Sequence, residues 1–176
     1  PSTTNCGPNE HVTRRHGPLV LLPSQYQSCR TSAPIFAGVG GQGVLLISEL
    51  AARAAVRAGF DVKQTEVHGV SQRGGSVESH VRFGSIVHSP LVTAGQADVV
   101  VGLEKLEGLR YANFINSRSG SLLVNDHEII PGSVAGAAEK YPHHSIEFLR
   151  GKGLKVTAIP ASQWAKDLGD GRIANM

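Results

Sequence analysis

The chain has 176 residues, 40% of them apolar and 18% charged, a balance that suits one globular domain able to fold on its own core. Two cysteines, Cys6 and Cys29, are too few for a disulfide framework and form no CxxC pair for a metal or redox site, and no apolar run reaches the length of a membrane span. The formal charge of +3 does not signal nucleic acid, because Arg14, Arg15 and Arg30 against Glu10 in residues 1–33 leave 14 basic and 13 acidic groups elsewhere, with no basic stripe.

Residues 1–33 mix Pro, Ser, Thr, His and Arg without periodicity, and "PLVLLP" is their one apolar island. Pro1 is not a start methionine, so the chain is expected to have been processed or to lack a beginning. The segment carries arginine and little acid, as a transit peptide does, but a disordered extension is the favoured reading. Next, "PIFAGVG" reads as a short strand. Gly43 to Ala58 reads as a helix with Val44, Leu45, Ile47, Leu50, Ala51, Ala54, Ala55 and Ala58 apolar; Glu49 and Arg53 form an i,i+4 pair, and Gly59 is the stop. "FDVKQTEV" is a second strand and "HGVSQRGG" a loop. "SVESHVRFG" alternates, with Val77, Ser79, Val81 and Phe83 on one side and Glu78, His80 and Arg82 on the other, so a strand with one wet face is expected.

"ADVVVGL" is a continuous β-branched run, the mark of a buried parallel strand. Residues 104–117 read as helix and "GSLLVND" as strand. "HSIEFLRGKG" is a helix end stopped by Gly151 and Gly153. "LKVTAIP" is a further strand and "ASQWAKDLG" a closing helix. This alternation predicts an α/β fold: a Rossmann-like three-layer sandwich whose mostly parallel sheet carries helices on both faces.

Gly38-Val39-Gly40-Gly41-Gln42-Gly43 fits G-x-G-x-x-G between a strand and a helix. Glycines allow a tight turn and close approach of a phosphate, and the helix start supplies amides and partial positive charge. A dinucleotide site also needs an acid at the end of the second strand. Glu66 is the candidate, but it lies 28 residues beyond Gly38, later than the usual spacing of about 20, and Asp61 sits at the wrong end of the strand. A nucleotide loop and a plain tight turn therefore stay open on this motif alone. The second loop brings Ser71, Gln72, Arg73 and Gly74-Gly75 to the same expected edge of the sheet, which suits an anion; a turn with a solvated arginine is the plainer alternative.

The stretch "GVGGQGVLLISELAARAAVRAGFDVKQTEVHGVSQRGGSVESHVRFG" resembles the gamma subunit or domain of the 2-oxoacid:ferredoxin oxidoreductases, and within them the small, beta subunit of the indolepyruvate type. The "ADVVVGLEKLEGLRYANFI" and "IPASQWAKDLG" regions fit as well. The resemblance spans about residues 34–176, leaves 1–33 outside, and implies truncation at the end, since the family continues past 174–176 with another helix. It implies conversion of a 2-oxoacid and coenzyme A to acyl-CoA and carbon dioxide, with electrons passed to ferredoxin. Thiamine diphosphate and iron–sulfur clusters would sit in a larger partner subunit, in a cytoplasmic enzyme of anaerobic metabolism. It assigns this chain no catalytic residue, no metal and no redox cofactor of its own, and leaves a homodimer possible. It implies a coenzyme A phosphate site at Gly38, Gly40, Gly41, Gln42 and Gly43, with Ser71, Gln72 and Arg73 beside it.

Other residues have plainer readings. His143 and His144 are adjacent, so they diverge and make a poor metal site. Asn125 to Glu128 could line the ligand edge, but a turn is favoured. His80 is expected at the surface or an interface. Ser76 and Ser162 lack the base and acid of a hydrolase triad. Three functions compete: a non-redox oxidoreductase subunit that binds coenzyme A, a free-standing NAD(P)- or FAD-dependent dehydrogenase, and an interaction module with an empty glycine turn.

Overall fold

The computed structural model describes residues 31–68, 74–129, 141–171 and 174. Residues 1–30 of the expected extension, and the loop positions Ser71, Gln72 and Arg73, lie outside the described residues. The last residues before the first strand already belong to the fold: Ser32 bridges to Phe83 and Ala33 is buried.

Six strands form one sheet: β1 (Pro34–Val39), β2 (Asp61–His68), β3 (Ser76–Gly84), β4 (Val99–Gly102), β5 (Ser121–Asn125) and β6 (Lys155–Ile159), in the order β2-β3-β1-β4-β5-β6. β1, β4, β5 and β6 pair in parallel. β3 is antiparallel to both of its neighbours, so β2 runs in the direction of β1 without touching it. The expected mostly parallel α/β architecture is what forms, with one antiparallel strand set into it.

The helices are α1 (Val44–Arg57), α2 (Lys105–Arg110), α3 (Ser145–Gly151) and α4 (Ala161–Asp167). α1 lies on the β1–β3 side, where Val44 and Ala52 pack with Phe36, Val77, Val81 and Leu103. The opposite face is the larger core, in which Ile35, Val100, Leu122 and Val124 meet Ala112, Ile115, Ile146 and Leu149 from the segments around α2 and α3. The alternation of Ile35 with Phe36, and of Val100 with Val101, sends neighbours to opposite layers, and each fully buried aliphatic chain contributes about 1.5–3 kcal/mol. α1 ends as its sequence suggests, with Gly59 left-handed at φ 88°.

Three sequence expectations are corrected. The outer face of β3 is not wet. His80 is buried, its Nδ1 accepts the Val92 amide at 3.1 Å, and its ring stands edge-on to Phe114. The connection that follows β3 folds back over this face, and Arg82 reaches the carbonyls of Ser89 and Leu91. The helix expected over residues 104–117 is only six residues long, followed by a 3₁₀ turn at Ala112–Phe114. At its start Glu104, buried and extended, caps it by accepting the Glu107 amide at 2.9 Å, and at its far end the chain leaves α-helical geometry at Tyr111. The segment Asn125–Glu128 is more than a turn and belongs to the site described below.

Glu104 also accepts the Ile129 amide at 3.2 Å and the Tyr141 hydroxyl, whose acidity burial and this carboxylate suppress. Glu107, one turn on, is buried as well; its carboxylate takes the Ser76 hydroxyl at 2.5 Å and lies 3.6 Å from Arg110. Burial pushes its pKa above the ordinary 4.5, Glu104 and Glu78 add to the rise, and Ser76 and Arg110 oppose it.

A carboxyl whose folded value is raised holds its proton more tightly when folded. Its contribution is fully present below pH 4.5 and is lost as pH climbs through the folded value. Glu107→Gln keeps an acceptor for Ser76 and removes that titration. The stability difference between variant and wild type should therefore grow in the variant's favour from about pH 4.5 upward and then level off, as read by urea unfolding across pH. A difference that does not change with pH would contradict this.

Candidate functional site

The parallel strands β1, β4, β5 and β6 all end at one edge of the sheet, and a cleft of about 310 Å³ opens there. Its described walls include Gly41, Gln42 and Gly43 before α1, Leu103 after β4, Asn125 at the end of β5, His127 after it, and Ser162 in α4. In open α/β sheets this edge is where ligands bind.

The glycine loop is shaped by its own sequence. Gly43 is the N-cap of α1 in the left-handed region at φ 80°, a conformation that costs a residue with a Cβ about 1–2 kcal/mol. Gly38 is a close-approach glycine: a Cβ there would stand 2.9 Å from Val44 Cγ2, 3.0 Å from Gln42 Oε1 and 3.1 Å from Leu103 Cβ. The described end of the second loop, Gly74 and Gly75, lies against the glycine loop. Gly40 donates its amide to the Gly75 carbonyl at 2.8 Å and accepts the Gly74 amide at 3.4 Å.

Side-chain amides tie this edge together. Gln42 Oε1 accepts the Val39 amide at 2.8 Å, and Gln42 Nε2 donates to the Leu103 carbonyl at 3.1 Å. Asn125 Nδ2 donates to the same carbonyl at 3.2 Å and to Ser162 Oγ at 2.8 Å, while Asn125 Oδ1 accepts the Ser162 amide at 3.1 Å. The bonds run without a gap from β1 across β4 and β5 to α4.

The cleft suits an anion. α1 is fourteen residues long, carries no acid in its first turn, and starts at the cleft wall, so its first amides lack intrahelical partners and its dipole places partial positive charge there. No carboxylate is among the described lining residues, and His127 is their one ionisable side chain. The loop that carries His127 is held from behind. Lys105 donates its amide to the His127 carbonyl at 3.0 Å, and its ammonium bridges Asp126 at 2.5 Å and Glu128 at 3.1 Å. Burial works against that charge, but the two carboxylates hold the Lys105 pKa above its ordinary value. His143 completes the brace at 2.9 Å from Glu128. Among the described residues no three His, Cys, Asp or Glu side chains gather as a metal site would need.

The residues named from sequence therefore separate. Gly41, Gln42 and Gly43 line the cleft; Gly38 packs beneath the loop; Gly40 joins the two loops. Glu66 is far from a ribose position. It pairs with Ser79, which pairs with Phe36, so Glu66 is exposed, two strands from β1 and level with that strand's middle, about 10 Å to the side. Sequence reasoning missed Leu103, set Asn125 and His127 aside as a turn, and weighed Ser162 only as a hydrolase nucleophile. The available signal was position alone: each lies at the end of a strand of parallel type or within three residues of it, at the edge where ligands bind.

Comparison with known proteins agrees with this architecture. The pyruvate ferredoxin/flavodoxin oxidoreductase family matches residues 34–176. The indolepyruvate oxidoreductase subunit IorB of Archaeoglobus fulgidus is 46% identical over 137 residues, covering 77% of this chain and 67% of that protein. The subunit of the same name from Thermococcus kodakarensis is 44% identical over 108 residues, 61% of this chain and 53% of that protein. The chain thus spans two thirds of the first relative and about half of the second. Among solved structures, the gamma subunit of a keto/oxoacid ferredoxin oxidoreductase from Geobacter sulfurreducens superposes with a TM-score of 0.55 at 24% identity, over 82% of this chain and 70% of that one. The 2-oxoglutarate:ferredoxin oxidoreductase of Magnetococcus marinus, solved with 2-oxoglutarate, coenzyme A and succinyl-CoA bound, gives 0.59 at 23% identity, over 82% of this chain and 22% of that one.

Gly38→Ala is expected to lower unfolding stability by about 1–3 kcal/mol, because the added methyl meets Val44, Gln42 and Leu103 inside a packed layer. Urea melts check this; a change below about 0.5 kcal/mol would show that the layer yields freely.

Proposed function

Because this chain belongs to the pyruvate ferredoxin/flavodoxin oxidoreductase family, we propose that it serves as the small, non-redox subunit of a 2-oxoacid:ferredoxin oxidoreductase of the indolepyruvate type, and that its cleft holds a phosphate of coenzyme A. The observation that carries the proposal is the meeting of two facts: a family match over residues 34–176, and a cleft at the start of α1 whose described lining carries no acid. The coenzyme A named with the Magnetococcus marinus enzyme supports the choice of ligand.

In this reading the chain's own work is binding. Gly41 and Gly43 leave room for a phosphate at the α1 N-terminus, where amides and dipole favour negative charge. His127 faces the same space from the β5 side. Ser71, Gln72 and Arg73, assigned from the family motif, would add polar contacts and a cation. Thiamine diphosphate and the iron–sulfur clusters would belong to a larger partner subunit, which would decarboxylate the 2-oxoacid and send its electrons to ferredoxin. The dehydrogenase alternative loses its main support, since Glu66 stands mid-strand with β3 between it and β1.

Two outcomes follow. The purified chain alone should not oxidise a 2-oxoacid; steady turnover without a partner would refute the assignment of the chemistry. In the assembled enzyme, Arg73→Ala should weaken coenzyme A by about 1.5–3 kcal/mol if it makes a charge-assisted hydrogen bond, and Gly40→Val should also weaken it, with NAD measured in parallel by calorimetry. Unchanged coenzyme A affinity in both variants, or tight NAD binding abolished by Glu66→Ala, would overturn the reading.

A further inference from the structure

We infer that Gln42 is a positioning residue, one that sets the width of the ligand cleft by acting with Asn125 through the Leu103 carbonyl. The inference rests on the proposal that the cleft takes coenzyme A, and it assigns Gln42 a role other than touching that ligand.

The side-chain amide of Gln42 is held at both of its ends, its oxygen and its nitrogen each engaged within the protein. Its oxygen takes the Val39 amide at 2.8 Å, its nitrogen gives to Leu103 at 3.1 Å, and its backbone amide returns to the Val39 carbonyl at 3.0 Å. The side chain instead lies down over Gly38, where a Cβ would come within 3.0 Å of its oxygen. It therefore spans the gap between the ends of β1 and β4, the crevice into which a pyrophosphate descends in dinucleotide-binding sheets. A ligand at this edge is turned toward β5 and α4.

What lies on that side is fixed by the same carbonyl. A carbonyl oxygen has two lone pairs, and Leu103 spends them on Gln42 Nε2 and Asn125 Nδ2. Asn125 is itself clamped to both the hydroxyl and the amide of Ser162. Gln42, between Gly41 and Gly43 on one wall of the cleft, and Ser162 on another are thus ends of a single hydrogen-bonded string. Strings of this kind polarise one another, so their links act together. Breaking either link frees one wall, and breaking both adds little more.

The test uses the assembled enzyme with coenzyme A as the probe. Gln42→Met keeps the volume and loses both side-chain bonds; Asn125→Ala removes the second link. Each should raise KM for coenzyme A about tenfold, with the loss falling on KM and not on kcat, and the double variant should rise far less than the product of the two. Ser162→Ala, at the outer end of the string, removes one acceptor without touching the core and should raise KM about threefold; it keeps the test open should an inner variant fold poorly. A role in stability alone would lower the melting temperature of the variants and leave KM within twofold, which would overturn the inference, as would a multiplicative double variant. Hydrogen exchange separates this from failure of the underlying proposal. If coenzyme A protects the amides of residues 41–46 in the wild-type complex while the variants leave KM unmoved, the string has no positioning role and the site stands. If coenzyme A protects none of them, the site assignment falls and this inference falls with it.

Discussion

The carbonyl of Leu103 accepts two side-chain amides, Gln42 from one side and Asn125 from the other, and the organisation of the sheet's ligand edge follows from that sharing. Main-chain pairing aligns β1 with β4 and β4 with β5, but a strand ladder says nothing about the loops beyond it. The loops after β1, β4 and β5 are placed by these amides, and α4 is joined to them through Ser162. Since Gly38 must stay bare for Gln42 to lie across it, the glycine motif here serves packing as well as access. A G-x-G-x-x-G pattern can therefore occur in the right context while the crevice below it is closed.

The antiparallel β3 is the second constraint. By standing between β2 and β1 it moves Glu66 out to the sheet edge and away from any nucleotide ribose. It also starts at the C-terminal end of β1, where Ser76 pairs with Val39, so Gly74 and Gly75 meet Gly40 directly. Its outer face is closed by the chain that follows, which holds His80 and Arg82, and by Phe114 against the His80 ring. Beside it, Glu104 and Glu107 hold a buried polar seam between α2 and the sheet, fixing the short helix and, through Ile129, the loop that carries His127.

Much of this was legible in the sequence because it is local. Apolar runs and alternation located all six strands, and periodicity with Gly59 located α1. The family resemblance rests on the glycine loop and its neighbours, residues whose types the turn itself demands. What the sequence hid is what depends on distant partners. Alternation in β3 looks half polar because nothing in those nine residues reveals that a later connection covers them. α2 looks longer than it is because the chain after Arg110 passes through Tyr111 into a 3₁₀ turn at Ala112–Phe114 before Ile115 turns extended. Gln42 reads as a ligand residue until its two partners, three and sixty-one positions away, are known. Asn125, His127 and Ser162 carry no motif, and only the common edge of β5 and β6 brings them together.

The central claim is that a phosphate of coenzyme A lies in front of α1, on the β5 side of Gln42. A structure of the assembled enzyme with coenzyme A bound measures this directly. The account predicts phosphate oxygens within about 3 Å of an amide at the start of α1, with His127 and Ser162 lining the same space. Coenzyme A ordered elsewhere with this cleft empty, or a phosphate sunk between β1 and β4 with Gln42 displaced, would contradict it.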